Sequence, residues 1–134
     1  MGIDETIKDK LVPVLKKEGL DLLLLFGSVA SGKMRKESDV DLAFLFDRPV
    51  DILALTNRII KLLHINNVDV VDLKHATPVL KYAAARNGRL LYESRGGLFN
   101  DFYSLAFSMY IDSKKLRDAQ RVRIARYLKT KGLA

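Results

Sequence analysis

The sequence predicts a small α/β domain, on three observations. Short, mostly apolar runs at residues 22–26, 39–46, 68–73 and 89–93 have strand length. Between and around them lie longer stretches with apolar residues at helical spacing. Turn residues separate the two kinds of segment, at Gly19, Arg48-Pro49, Asn66-Asn67 and Asn87-Gly88.

In chain order, residues 3–18 read as an amphipathic helix with Ile3, Ile7, Leu11, Val14 and Leu15 on one side. Asp4 and Glu5 suit its start and Gly19 its end, and Pro13 predicts a kink or a break. The run at 22–26 is a buried strand, ending at Gly27-Ser28. A short helical segment closed by Gly32 and a basic loop follow, leading to a second strand that Asp39 opens. Residues 50–64 are a second amphipathic helix, with His64 at its C-terminal end as a cap or surface residue. The third strand spans 68–73. Thr77-Pro78 reads as a cap and a first helical position, opening a helix over 78–87, and 89–93 is a fourth strand. Gly96-Gly97 is the one flexible-looking joint. Beyond it, 99–130 read as one long helix with a stripe of Phe102, Leu105, Met109, Leu116, Ile124 and Leu128, slipping near Asp112-Ser113.

Composition sets bounds. A chain of 134 residues, 49% hydrophobic and 29% charged, builds one domain with a real core. We expect it to span 1–134, with its core over about 1–94 and its C-terminal helix over about 98–130. The absence of cysteine excludes disulfides, zinc–thiolate sites and thiol nucleophiles. No signal peptide is visible and no apolar run could span a bilayer, so a cytoplasmic protein without membrane contact is expected. The net charge is +7, and residues 101–134 carry eight Lys or Arg against three Asp. That excess suits a solvated helix face, an acidic partner or RNA.

The chemistry concentrates at 22–46. Side chains on a strand alternate faces, so Asp39 and Asp41 share one side while Val40, Leu42, Phe44 and Phe46 take the other. Two carboxylates so close repel, and a hard cation such as Mg²⁺ relieves the repulsion. Gly27 lets the backbone turn sharply and a ligand approach. Ser28 sits where a helix would begin, with backbone N–H groups suited to phosphate. On the third strand, Asp69 and Asp72 face opposite sides, so at most one joins the pair; parity does not choose between them.

The stretch GSVASGKMRKESDVDL resembles the signature of the DNA polymerase β-like nucleotidyltransferases, Gly-Ser followed by Asp-x-Asp on the next strand. In so short a chain, Ser-Asp-x-Asp-Leu is similar to the minimal nucleotidyltransferases (MNT), the antitoxins of HEPN–MNT toxin–antitoxin pairs. The resemblance implies the polymerase β-like fold, a small mixed sheet flanked by helices. It implies Gly27, Ser28 and Ser38 as nucleotide-binding residues and ATP as substrate. It implies Asp39, Asp41 and Asp69 as catalytic Mg²⁺ ligands, since the family's third carboxylate lies in a segment like Val-Asp-Val-Val. The expected reaction is transfer of AMP to a tyrosine hydroxyl of a HEPN ribonuclease toxin, with release of pyrophosphate. The toxin, or RNA bound through the basic C-terminal helix, is the expected partner. The chain departs from the family's common Gly-Ser-x-Ala-Arg-Gly, having Ser31 at the Arg position. That keeps a non-catalytic antitoxin acting by complex formation as a rival. Nucleotidyl transfer to a small molecule or an RNA end is another.

Overall fold

The structure, a computed structural model, describes residues 2–26 and 40–132. Helix α1 (Ile3–Leu15) leads into a 3₁₀ turn, Lys16–Glu18, and strand β1 (Leu20–Phe26). Strand β2 (Val40–Phe46), helix α2 (Ile52–Leu63) and strand β3 (Val68–Asp72) follow. Helix α3 (Pro78–Asn87), strand β4 (Arg89–Glu93) and the long helix α4 (Leu98–Thr130) complete the order. The helix–strand alternation read from the sequence is therefore present.

Local chemistry explains the boundaries. Pro13 lies within α1, which runs on to Leu15 before the chain tightens into the 3₁₀ turn at Lys16. Gly19 then takes φ 89°, a left-handed conformation that favours glycine, and a Cβ there would also crowd the Asp47 carboxylate. The second helix starts at Ile52, not Val50, because the Asp51 side chain accepts the Ala54 N–H at 3.2 Å. His64 closes that helix in the left-handed conformation at φ 56°. Thr77 accepts the Leu80 N–H at 3.2 Å with Pro78 in the first turn, as its spacing predicts.

The sheet order is β3-β2-β1-β4. β1 runs antiparallel to both β2 and β4, while β2 and β3 are parallel and joined through α2. The sheet is thus mixed, and its two faces are covered differently. On one face, Leu23 and Leu25 of β1 and Val40, Leu42, Phe44 and Phe46 of β2 are buried with Ile7 and Leu11 of α1 and Leu55 and Ile59 of α2. On the other, Leu24, Ala43, Leu73 and Ala84 form a smaller cluster, packed by Phe99 and Phe102 of α4. Because β1 is central and covered on both sides, Leu22, Leu23, Leu24 and Leu25 are all fully buried. That is why its sequence is a continuous apolar run rather than an alternation.

Helix α4 is held at its start by Glu93, whose carboxylate accepts the N–H groups of Gly97 at 3.1 Å and Phe99 at 3.2 Å. Its next turns pack on α3 through aromatic rings: Tyr82 stacks on Tyr110 at 4.6 Å and meets Phe107 at 5.5 Å and Tyr103 at 6.2 Å. The apolar stripe read from the sequence is corrected here. Leu105 faces outward, and Ala106 is the buried residue of the helix.

Candidate active site

The carboxylates lie where the sheet's register brings them. In the parallel pair β2·β3, Asp41 stands opposite Asp69, with Val40 opposite Val68 and Leu42 opposite Val70 on either side. On the other flank of β2, Asp41 stands opposite Phe26, the last residue of β1. Phe26, Asp41 and Asp69 therefore form a row across three strands. Register partners share a face, and neighbouring strands lie about 4.8 Å apart. The two carboxylates are thus side by side.

Parity fixes which face they occupy. Val40 and Leu42 belong to the large cluster under α1 and α2, so Asp41 lies on the α3–α4 side with Ala43. Val68 likewise faces the large cluster, which sends Asp69 to the side of Val71. Asp41 is half-buried and Asp69 exposed. A half-buried carboxylate in register with an exposed one is a donor set suited to a hard cation.

Asp72 has a different place. It stands opposite Phe44, on the face of the large cluster, accepts the Lys74 N–H at 3.0 Å, and pairs with His75 Nδ1 at 2.7 Å. It does not join Asp41. Gly27, Ser28, Ser31, Gly32, Ser38 and Asp39 lie outside the described residues, as do the short helical segment and basic loop expected there. Gly27 follows Phe26 in the chain, and Asp39 precedes Val40. Among the described residues no group of three or more His, Cys, Asp or Glu is gathered for a metal, and Asp41 and Asp69 are two of the three expected carboxylates.

A surface cavity of about 240 Å³ lies elsewhere, at the other end of β2. It is lined by Phe46, Arg48, Asp51 and Arg58 among others, five residues or more along the chain from Asp41. Its cations are already matched. Arg58 makes a two-pronged pair with Glu18 at 2.9 and 2.8 Å, and Arg48 pairs with Asp47 at 2.7 Å. These arginines hold the Glu18 and Asp47 carboxyls below the usual carboxylate range, chiefly by hydrogen bonding. The carboxylate row is the better candidate for chemistry, because it brings two carboxylates into register on adjacent strands, while the charges of this cavity are paired with each other.

Two features escaped sequence reasoning. Phe26 completes the row, a placement that depends on antiparallel pairing with β2. Glu93 caps α4 across the Gly96-Gly97 turn, and its signal was an acid placed just before a helix start.

A mixed sheet carrying paired carboxylates at the start of adjacent parallel strands defines a nucleotidyltransferase of the polymerase β kind. Residues 9–96 match the family described as Polymerase beta, Nucleotidyltransferase, and the chain belongs to that family. Among curated proteins it is 28% identical over 126 residues to protein adenylyltransferase MntA of Aphanizomenon flos-aquae, covering 85% of this chain and 84% of the relative. Another similar protein is protein adenylyltransferase MntA of Shewanella oneidensis, 31% identical over 90 residues, with 63% and 64% covered. Among solved structures, a chain from a toxin–antitoxin crystal structure with AMP-PNP aligns with a TM-score of 0.76 at 27% identity, covering 88% of this chain and 98% of that one. A structure of the tri-AMPylated Shewanella oneidensis HEPN toxin in complex with MNT antitoxin aligns at 0.72 and 25% identity, with 92% and 99% covered. Among the described residues, no helix is long and apolar enough to cross a membrane.

Proposed function

We propose that this chain is an antitoxin that transfers AMP from ATP to a tyrosine hydroxyl of a HEPN-type ribonuclease toxin. The observation that carries the reading is the register of Asp41 against Asp69 across parallel strands, in a member of the nucleotidyltransferase family. Similarity to MntA adenylyltransferases, and to antitoxin chains solved with AMP-PNP and with an AMPylated toxin, supports the choice of ATP and of a protein acceptor. Tyrosine comes from the family resemblance.

In this reading Gly27, Ser28 and Ser38 hold the triphosphate. Asp39, Asp41 and Asp69 would hold magnesium, and the oxygen donors of Asp41 and Asp69 fit a hard cation. Bound there, the metal supplies charge that stabilises the attacking and leaving oxygens. The protein's own part is geometric and acid–base. Asp69, exposed beside Asp41, accepts the proton of the acceptor hydroxyl. The acceptor oxygen then bonds to the α-phosphorus, the bond from that phosphorus to the bridging oxygen breaks, and pyrophosphate leaves. An AMP on the toxin adds bulk and negative charge where a ribonuclease must bind RNA phosphates.

The test is mass spectrometry of the HEPN-domain protein encoded beside this chain's gene, after incubation with the chain, ATP and Mg²⁺. AMP increments on a tyrosine, lost in an Asp39→Asn, Asp41→Asn double variant, are expected. A stable complex without increments would replace transfer with neutralisation by binding, the reading that Ser31 at the family's Arg position favours.

A further inference from the structure

Helix α4 divides at Ser113. Up to there its inward face, through Phe99, Phe102, Ala106 and Tyr110, packs on the sheet and α3. Past Ser113 the apolar stripe turns by about 50° at about 100° per residue and runs through Leu116, Gln120, Ile124 and Tyr127. It continues without cover: Leu116 is 60% exposed, Ile124 58% and Tyr127 59%. A helix of 33 residues is about 50 Å long, and its second half carries this stripe over roughly 25 Å. Among the described elements, the helix packs chiefly on α3, with smaller contacts to β1 and β4.

The charge of this half says what covers it. Residues 114–131 hold eight Lys or Arg against one acid, Asp118, a net of +7 that equals the charge of the whole chain. A second copy packed along the same seam would set two such segments against each other, and like charges repel. RNA answers the charge but not the aliphatic pair Leu116 and Ile124, because RNA is bound by phosphate contacts and by stacking on aromatic or Arg planes. An apolar groove rimmed by carboxylates answers both.

We propose that residues 114–131 are the docking helix for the acidic protein partner, which inserts Leu116, Ile124 and Tyr127 into an apolar groove bordered by Asp and Glu. The proposal rests on the function above for the partner's identity, the HEPN-type toxin. Structural similarity over 88% of this chain, in a chain of a toxin–antitoxin structure, reaches past residue 96 into the first part of α4.

The test titrates the neighbouring HEPN-domain protein into the full chain by calorimetry, at low and high salt. Leu116→Glu with Ile124→Glu is expected to weaken binding 100-fold or more at both salt concentrations. Arg123→Glu with Arg126→Glu is expected to weaken it about 10-fold at low salt and less at high salt. Both pairs are exposed, so helicity by circular dichroism and affinity for an ATP analogue stay unchanged. Unchanged partner affinity in both variants overturns the proposal. So does a wild-type homodimer that the first variant dissociates, or binding of an RNA oligonucleotide or anionic vesicles that the variants lose while partner affinity holds. Binding that the variants weaken, without AMP transfer by the wild type, leaves the docking helix standing and removes the proposed reaction. Transfer at full rate by both variants, with unchanged affinity, does the reverse.

Discussion

The two faces of the sheet carry different loads. Among the described residues, the face under α1 and α2 buries fifteen in one apolar cluster, and the face under α3 and α4 buries four. The thin face is the one that carries Asp41 and Asp69. A thick apolar layer there would strip water from the carboxylates and close off the room a nucleotide needs. Rigidity therefore comes from the opposite side, and β2 passes it through, since its even residues are core while Asp41 and Ala43 face the site. Function and stability are divided by the parity of a single strand.

That division can be broken from either side. The largest expected effect is on the thin face. Asp41→Asn should lower the initial rate of AMP transfer about 1000-fold, or about 4 kcal/mol of barrier. Its melting temperature should stay within about 2 °C of wild type, and a large drop in melting temperature would show that Asp41 belongs to the core instead. On the thick face, Phe44→Ala should cost about 3–5 kcal/mol in denaturant unfolding, because the ring is fully buried. Any activity loss in that variant should track the fraction unfolded. Tyr82→Ala should cost about 1–3 kcal/mol by removing the ring that three α4 aromatics meet. It should loosen α4, read as faster amide exchange over 103–110, before it touches the thick face.

The smallest effect concerns pH. Glu18, beside Arg58, has its carboxyl lowered when folded, so the pair contributes stability above the unfolded value of about 4.5. That contribution fades as pH falls through the lower folded value. Both side chains are more than two-fifths exposed, so the pair is worth under about 1 kcal/mol. Glu18→Gln should narrow its stability gap to wild type as pH drops from 6 to 3, measured by urea midpoints.

Much of this was legible in the sequence, for local reasons. Thr77-Pro78 and Asn87-Gly88 bracket α3, and β4 is found at 89–93, because caps and turns act over a few residues. The side of β2 on which Asp41 lies followed from alternation. What did not follow was anything set by pairing between distant strands. Parity left Asp69 and Asp72 equal until β3 was seen to run parallel to β2, placing Asp69 opposite Asp41 and Asp72 opposite Phe44. The stripe of α4 misled at Leu105 because periodicity names a face without saying what meets it. Tyr82, Tyr103 and Tyr110, which set that face, are too polar to stand out in an apolar pattern.

The pairing of β2 with β3 also acts as a check on assembly. A slip of one residue would bring Val68 or Val70 beside Asp41 and turn Asp69 into the apolar layer under α1 and α2. Such a molecule would bury an unpaired charge and expose valines in the same step, and it would not persist. A one-residue slip that breaks up the carboxylate row is therefore a slip that fails to fold. Misaligned yet stable copies, which would compete for the partner without being able to modify it, are removed by the same packing that builds the core.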